Sequence, residues 1–370
     1  MIRKMMIAGL VCGLTGITAW AAETAPPETV EFKMVFQPGR TLTYRMTSKG
    51  VGSMKMFDPM PEQKFAQAFE MEIVTTCREV KADGSAVVEL RLSRIAMKQA
   101  IGGVETVFDS ATFDPAAADD PLKDLLGRLF SSITDARLVL TIGADGQPIA
   151  ISGVTEAFDK VLDGLGSGLS SVVFRQVLKP MRQVFDDKAM LEQAKQWHRM
   201  MPPPGPKHIG DTWERTWQMP VPLLSGEMKG SSEYEFVAIE EIDGRRCAKI
   251  RTKDSIETAP LTTHADDASR PKTIFDRMKW NMSMSGGDGV LYIDYGRGEL
   301  VKMRSAQRMS MEMSMAPDEN AEEAELKSGI PSMTYNLTQA VSFELVEAES
   351  ATTTRDGDGA SAKAPGPAAP

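Results

Sequence analysis

Rows of methionines give this chain its most distinctive chemistry. The 370-residue chain has 25 methionines but only 5 tyrosines. Several methionines recur at every second position, a spacing that places side chains on one face of a β-strand. One row is Met309, Met311, Met313 and Met315; a second is Met278, Trp280, Met282 and Met284; a third is Met46, Met54 and Met56.

The methionine rows have three interpretations, which differ in what the thioethers contact. In the first, they fill a core between a sheet and helices, because methionine adapts to irregular gaps. In the second, they line a deformable cavity for a lipid or other hydrophobic ligand. The candidate cavity residues are Met278, Trp280, Met282, Met284, Met309, Met311 and Met313. In the third, Cu(I) binds to Met309, Met311, Met313 and Met315, although nearby His or Cys ligands are missing.

The sequence contains no recognisable motif for catalysis or cofactor binding. The histidines are His198, His208 and His264, and none has a metal-site spacing such as His-Glu-x-x-His. A Gly-x-Ser-x-Gly nucleophile motif does not occur. The glycine-rich segment 164–168 lacks the lysine of a phosphate-binding loop and joins two predicted helices. We therefore predict a non-enzymatic protein without a cofactor, and a hydrolase lacking a known motif is the lower-ranked alternative.

The cysteines beyond the N-terminal segment, Cys77 and Cys247, are not expected to form a disulfide, although an oxidising compartment would permit one. Cys77 shares the strand parity of Phe69, so it should face the core. Cys247 shares the parity of Arg245 and Lys249, so it should face water. Side chains on different faces cannot adopt disulfide geometry.

The elements that position these residues are strands on both sides of one helical segment, 154–201. Apolar residues recur in that segment at spacings of three and four, as in Val154, Phe158 and Leu162. Elsewhere apolar and polar residues alternate, and Asp-Gly pairs at 83–84, 145–146 and 243–244 indicate hairpin turns. The predicted fold class is α+β: a mostly antiparallel curved sheet or half-barrel with the central helices packed on it.

The order of strands and turns before the helices is repeated after them, which predicts a weak two-fold internal duplication. Residues 31–153 and 207–347 would then be related halves of one β-rich domain, 31–347. We expect residues 22–30 to form a linker. Residues 348–370 are rich in Ala, Gly, Pro, Asp and Thr, cannot bury a core, and are predicted to be a disordered tail.

The N-terminus has the pattern of an export signal. Arg3 and Lys4 precede an apolar run, and Ala19-Trp20-Ala21 offers a cleavage site, so residues 1–21 are a predicted signal peptide. The run is too short to span a membrane and no second one follows it, so we expect no transmembrane segment. A net charge of -9 and a pI near 5.1 disfavour nucleic-acid binding, which needs a basic surface. The predicted location is periplasmic or extracellular.

Three of these features together resemble an uncharacterised family of exported bacterial proteins. They are the export signal, the strand start Gly210-Asp211-Thr212-Trp213 after a proline-rich loop, and the Asp145-Gly146 hairpin that leads into a helix. The chain is also loosely similar to the half-barrels of periplasmic lipoprotein carriers. The resemblance spans roughly 32–345 and implies fold and location, while no functional residue can be transferred from it. The predicted function is an exported envelope protein that binds a lipid or other hydrophobic small molecule.

Overall fold

A thirteen-stranded antiparallel sheet makes up most of the described chain. The computed structural model describes residues 29–55, 60–114, 127, 130–131, 133–134, 136–166, 186–199, 201–203, 205–220, 227–257, 261–262, 278–315 and 332–349. The strands are β1 Thr29–Glu31, β2 Thr41–Lys55, β3 Gln63–Val80, β4 Ala86–Ile101, β5 Val104–Asp109, β6 Arg137–Ile142, β7 Pro148–Ser152, β8 Pro206–His208, β9 Thr212–Pro220, β10 Glu227–Ile242, β11 Arg245–Glu257, β12 Leu261–Thr262, β13 Met278–Asp294, β14 Glu299–Met315 and β15 Ser332–Glu349. Two thirteen-residue helices are described, α1 Val154–Gly166 and α2 Asp187–Arg199.

Two meanders build this sheet. The strand order is β7-β6-β4-β3-β2-β15-β14-β13-β11-β10-β9, with β5 beside β4 and β12 beside β13. The chain forms the first meander from β2 to β7, crosses to the opposite edge, and returns from β9 to β15, which pairs with β2. The predicted antiparallel sheet is confirmed. Because strands dominate and the described helices are short, the fold is β-rich and the α+β class fits it only roughly.

Helix α2 lies between the two edges of the sheet. Its main contacts are with β7 at one edge and β9 at the other, and it also contacts α1. Eleven flat strands about 4.8 Å apart would separate the edges by roughly 50 Å, so one helix can reach both only because the sheet curves. Strands from both predicted halves therefore lie against the helical segment. The first three residues of the predicted glycine-rich joint, 164–168, continue helix α1. Residues 167–185, which include the rest of that joint, lie outside the described residues.

Two adjacent aspartates fix the starts of both helices. The Asp187 Oδ1 atom accepts hydrogen bonds from the backbone amides of Val154 at 2.8 Å and Thr155 at 3.2 Å. The Asp186 Oδ1 atom accepts one from the Ala189 amide at 2.6 Å. These carboxylates satisfy amide groups that have no partner within the helix. The beginning of α1 is thereby held against the beginning of α2.

Each face of the sheet has its own chemistry, because side chains alternate along every strand. The apolar face carries the odd-numbered residues of β14, such as Met303 and Met309, and their partners on β15, such as Phe343 and Leu337. The polar face carries cross-strand ion pairs: Arg45–Glu72, Arg94–Asp109, Lys249–Glu240, Arg251–Glu235 and Lys302–Glu344. This division confirms that the alternating sequence pattern reports one packed and one solvated side.

The closed end of the molecule, which contains the β10–β11 and β13–β14 turns, holds the most completely buried core. Tyr234, Ile250, Leu291 and Ile293 form one cluster there, and Phe32 packs against it. The segment before β2 crosses this end, where the Val35 amide donates to the Arg297 carbonyl. Strand β1 pairs with β8, and its first two residues belong to the predicted linker. Strand β15 likewise continues to Glu349, two residues into the predicted tail.

An ion network covers the polar face at the closed end. Arg40 Nε donates to Glu299 Oε1 at 2.7 Å, and Arg245 Nη1 donates to Glu299 Oε2 at 2.8 Å. Asp294 lies 3.8 Å from the Arg245 guanidinium. The side chains of Glu299 and Arg40 are only 6% and 11% exposed. The network joins the start of β2 to the β13–β14 hairpin.

This network corrects the prediction for Cys247. The side chain has the parity of the polar face, but it is fully buried, because its cross-strand neighbour Asp294 and nearby Arg245 belong to the network. Cys77 is buried as predicted, and both residues are free thiols, which confirms the absence of a bridge between them. Burial raises the pKa of the Cys247 thiol to about 11, so the thiol is protonated at neutral pH.

Among the described residues, no helix has both the length and the apolar character needed to cross a membrane. The predicted signal peptide, 1–21, and most of the predicted tail, 350–370, lie outside the described part of the chain. The proposed relation between the two halves stays a prediction.

Candidate functional site

The predicted methionine rows come together on neighbouring strands. Met284 lies opposite Met309, and Met282 lies opposite Met311, where β13 pairs with β14. On the other side of β14, Met311 faces Tyr335 and Met313 faces Met333 of β15. Met54 of the third row pairs with Tyr335, so all three rows share the apolar face. For Met278, Trp280 and Met315 the structure describes only the backbone, which places Met278 opposite Met315 and Trp280 opposite Met313. Met56 lies outside the described residues.

An unbroken apolar row crosses ten strands at the edge of this methionine region. Its members are directly paired from strand to strand. From β9 to β5 they are Trp217, Gly230, Ile256, Met284, Met309, Leu337, Gly52, Phe65, Ile101 and Val104. The glycines accommodate aromatic rings, because a Cβ at Gly52 would come within 2.5 Å of Phe65, and one at Gly230 within 2.3 Å of Trp217.

Most methionines of this region are only half-buried. Met282, Met284, Met309 and Met311 are of intermediate exposure, whereas Met313 is 9% exposed. Phe65 stacks on Tyr335 with ring centroids 4.9 Å apart, so aromatic side chains continue the surface across β15 and β3. We call this region, from the apolar row to the open ends of β13, β14 and β15, the methionine surface.

Two surface depressions lie in the centre of the sheet. One, of about 280 Å³, is lined by Met309 together with residues of the polar face such as Ser310 and Asn336. The other, of about 700 Å³, is lined on the polar face by Lys49, Arg251 and Arg304. Of the candidate cavity residues with described side chains, Met282, Met284, Met311 and Met313 line neither depression. The assignment of these residues to a ligand cavity stays a prediction.

A polar row separates the methionine surface from the closed-end core on the same face. On β9, β10, β11 and β13 it consists of Arg215, Ser232, Asp254 and Gly287. On β14, β15, β2, β3, β4 and β5 it consists of Gln307, Gln339, Gly50, Gln67, Gln99 and Thr106. A bulge at 286–287 shifts the register of β13, and it is this shift that brings Gly287 into the row. The apolar face therefore has a polar middle.

Buried polar atoms concentrate at the β9 edge of the polar row. His198 Nδ1, Trp213 Nε1 and Arg215 Nε are buried and have no hydrogen-bond partner among the described residues. Trp213 and Arg215 lie two positions apart on β9, and α2 brings His198 against this strand. Burial lowers the pKa of His198, Asp145 opposes that shift, and Arg215 adds to it. We call these three residues the edge cluster.

Next to the edge cluster, Ser232 lies beside two further polar groups. Its hydroxyl is close enough to the Asp254 carboxyl and the Tyr234 hydroxyl to lower the pKa of each. Burial raises the pKa of Asp254 above its ordinary value, and Ser232 partly offsets this. Burial also raises the pKa of Tyr234 to about 12, so its hydroxyl stays protonated. Ser232 is 1% exposed, so this is a buried polar site on an otherwise apolar face.

Sequence reasoning missed the edge cluster, although a signal was present. In β9 the exposed residues alternate with less exposed ones, and Arg215 has the parity of Trp213 and Trp217. An arginine that shares a strand face with two tryptophans is a candidate for a buried charge. Asp254 likewise has the parity of Ile250 and Ile256. His198 lies on a helix as expected; His208 lies in β8, where its Nε2 atom is 3.0 Å from Thr29 Oγ1, and His264 is outside the described residues.

A comparison with known protein families identifies the family of this chain. The family of unknown function DUF6263 matches residues 83–294. The chain belongs to this family. This confirms the predicted resemblance to an uncharacterised family, and the match runs from the β3–β4 turn to the end of β13. No curated protein matches the chain.

Solved structures are similar to the DUF6263 chain only in a general way. Lipovitellin, from a structure on lipid–protein interactions, is 11% identical to this chain with a TM-score of 0.35. The match covers 85% of this chain and 26% of lipovitellin, so the chain spans about a quarter of the length of that protein. A Bacteroides fragilis protein with a YmcC-like fold is 8% identical with a TM-score of 0.20, over 86% and 100% of the two chains. A DUF1329 protein from Desulfovibrio piger is 7% identical with a TM-score of 0.12, over 84% and 88%. Scores of this size assign no function.

Proposed function

We propose that this chain is an exported, non-enzymatic protein that binds a lipid or other hydrophobic small molecule on the methionine surface. The observation that carries the proposal is the difference in burial along one face. At the closed end Phe236, Ile250 and Ile293 are fully buried, whereas Met282, Met284, Met309 and Met311 remain partly exposed. Apolar side chains that stay partly exposed side by side on a folded protein are candidates for an interaction site.

The chemistry of the methionine surface suits an apolar ligand of variable shape. Covering apolar area contributes about 25 cal/mol for each Å² removed from water. Methionine side chains are unbranched and polarizable, so they adjust to different ligands without a fixed pocket. The stacked rings of Phe65 and Tyr335 offer a rigid, flat contact beside these flexible side chains. An acyl chain or another extended hydrocarbon therefore matches the surface better than a compact polar molecule.

A charge placed on the methionine surface tests the proposal directly. Met309→Glu is expected to weaken binding of a fluorescent fatty-acid probe at least about tenfold, because a carboxylate would have to be desolvated under the ligand. Ser310→Glu adds the same charge to the polar face of the same strand and should leave probe affinity within about twofold. Thermal unfolding of both variants checks that the fold is retained. Equal losses in both variants, or no probe binding by the unmodified protein, would contradict the proposal.

Cu(I) binding is the second candidate, favoured by methionines that lie directly opposite each other. The pairs Met282–Met311 and Met284–Met309 have Cβ atoms about 5 Å apart by strand geometry, which two thioethers could bridge through one soft ion. Replacing Met309, Met311, Met313 and Met315 together by leucine keeps volume and apolarity but removes four sulfur atoms. An apolar-ligand protein should keep its probe affinity. A copper protein should lose Cu(I) in competition with a chromogenic chelator.

Export is part of the same proposal and has its own test. The pattern at Ala19-Trp20-Ala21 supports cleavage, so the N-terminal sequence of the exported protein should begin at Ala22 or within a residue or two. Retention of Met1 in protein from the cytoplasm would contradict it. A hydrolase activity has no assigned residue and stays the lower-ranked alternative.

A further inference from the structure

The edge cluster gathers three buried polar atoms that have no partner among the described residues. Trp213 Nε1 and Arg215 Nε are obligate donors, while His198 Nδ1 can donate or accept, depending on the tautomer. Most buried polar atoms in proteins are hydrogen-bonded, so three together without partners point to a group that the described part of the chain does not supply. Two donors, one of them on a guanidinium cation, call for an acceptor with negative charge.

Rigid neighbours hold the donors of the edge cluster in place. Trp213 stacks on Tyr234 with ring centroids 5.4 Å apart and an interplanar angle of 3°. Two positions along one strand separate Cα atoms by about 7 Å, so Trp213 and Arg215 side chains lie next to each other on one face. His198 is fixed by packing against the β6–β7 turn, where a Cβ at Gly146 would lie 3.1 Å from its Cε1 atom. The cluster thus lies between the two edges of the sheet.

Arg215 has no acidic partner within the described part of the chain. No ion pair of Arg215 occurs among the described residues, although the surface arginines of the polar face do form them. The Asp254 carboxyl lies two strands away on β11 and forms no ion pair with Arg215 among the described residues. A guanidinium group binds a carboxylate or phosphate through a charge-assisted pair of hydrogen bonds, one of which Nε can donate. The buried Nε atom of Arg215 has no acceptor among the described residues, so it could donate one bond of such a pair.

We propose that the edge cluster binds the acidic head group, a carboxylate or a phosphate, of a single-chain amphiphile whose hydrocarbon chain lies on the apolar row. This inference rests on the proposed function, because it needs the methionine surface to hold the chain. In the apolar row, Trp217 lies two positions after Arg215 on β9, followed by Gly230, Ile256 and Met284 on successive strands. Those strands, β9 to β13, span about 14 Å at 4.8 Å per step. An acyl chain covers half of a bilayer core, about 15 Å, so the lengths agree.

Head-group recognition is tested by comparing ligands that differ only in the head. Lauric acid, dodecyl phosphate and dodecanol compete with the fluorescent fatty-acid probe for the unmodified protein and for Arg215→Gln. We expect the unmodified protein to prefer both acids over the alcohol by at least about tenfold, because a hydrogen bond to a charged group is worth more than one to a neutral group. In Arg215→Gln the preference should fall to about one, with dodecanol affinity unchanged.

Two further variants keep the test decisive. Arg251→Gln removes an arginine from the polar face of β11, where it pairs with Glu235, and should leave the preference for acids intact. Trp213→Phe keeps an aromatic ring on Tyr234 but removes the Nε1 donor, and should lower the preference about threefold to tenfold. If Arg215→Gln does not fold, which circular dichroism and thermal unfolding would show, Trp213→Phe alone decides the result.

The outcomes separate this inference from the function on which it rests. Binding of dodecanol and lauric acid with equal affinity by the unmodified protein would overturn the head-group assignment and leave the proposed function standing. Binding of none of the three would contradict the proposed function itself. Displacement of lauric acid by acetate or inorganic phosphate at the same concentration would indicate a site for a free anion, and would also overturn the inference. An unchanged preference in both Arg215→Gln and Trp213→Phe would do so as well.

Discussion

The two ends of the apolar face differ in how completely they are buried, although one set of strands builds both. At the closed end Phe236, Ile250 and Ile293 have no exposed surface, and Phe32 packs edge-on against Phe236 with ring centroids 6.1 Å apart. At the open end the methionines opposite each other on β13 and β14 remain partly exposed. The comparison teaches that the same strands build a closed core at one end and leave a partly exposed apolar surface at the other.

The choice of side chain follows that division. Branched and aromatic side chains in the closed-end core have few rotamers and pack to one arrangement, which favours a single native structure. Methionine has three rotatable bonds and specifies packing poorly, which is a disadvantage in a core and an advantage on a surface that must fit several ligands. The polar row with Gln307, Gln339 and Gln67 marks the boundary between the two.

The largest expected effect is at the closed end. Phe236→Ala should lower the free energy of unfolding by about 3 to 5 kcal/mol, because it leaves a cavity in a fully buried cluster. Denaturant titration measures this change. A loss below about 1 kcal/mol would show that the closed end does not carry the stability of the sheet.

The ion network at the closed end should have the next largest effect. Glu299→Gln removes the carboxylate that accepts from both Arg40 and Arg245, and should cost about 3 kcal/mol of unfolding free energy because it leaves buried cations poorly compensated. Thermal or urea unfolding detects it. Glu235→Gln, on an exposed pair with Arg251, is the matched control and should cost less than about 1 kcal/mol.

The open end should tolerate the same kind of truncation much better. Met311→Ala is expected to cost about 1 kcal/mol, because the side chain is already partly exposed and leaves no closed cavity. The same variant should weaken binding of the fluorescent probe. A cost equal to that of Phe236→Ala would mean that the methionine surface is an ordinary core, and the contrast between the ends would be lost.

The smallest expected effect is a pH dependence at the edge cluster. Burial lowers the pKa of His198, with a smaller contribution from Arg215 and an opposing one from Asp145. The unfolded chain therefore binds a proton more readily, so stability is complete above the ordinary histidine value of about 6.5 and falls as the pH drops through it. Unfolding measured at a series of pH values should show this fall. His198→Gln should remove the part of the fall that comes from His198. A pH profile that is the same in this variant and in the unmodified protein would contradict the role given to His198.

Much of the fold could be predicted from local patterns. Alternation along β14 and β15 identified the strands and the face that the methionines share, because a period of two is imposed by backbone geometry alone. The Asp243-Gly244 pair has φ of 50° and 73°, as a tight hairpin turn requires, and sequence alone located it. The free state of Cys77 and Cys247 was also predicted, although the exposure of Cys247 was not.

Other features were decided only by tertiary structure. Strand parity placed Cys247 on the solvated side, but Asp294 opposite it and nearby Arg245 belong to an ion network. That network also joins Arg40 to Glu299, which are 259 residues apart in the chain. The same holds for the edge cluster, which α2 and β9 complete only because the sheet curves until one helix reaches both edges. Sequence determined which residues share a strand face, since neighbouring residues fix that locally. Which faces become buried, and which polar atoms meet there, depends on long-range packing that no local pattern encodes.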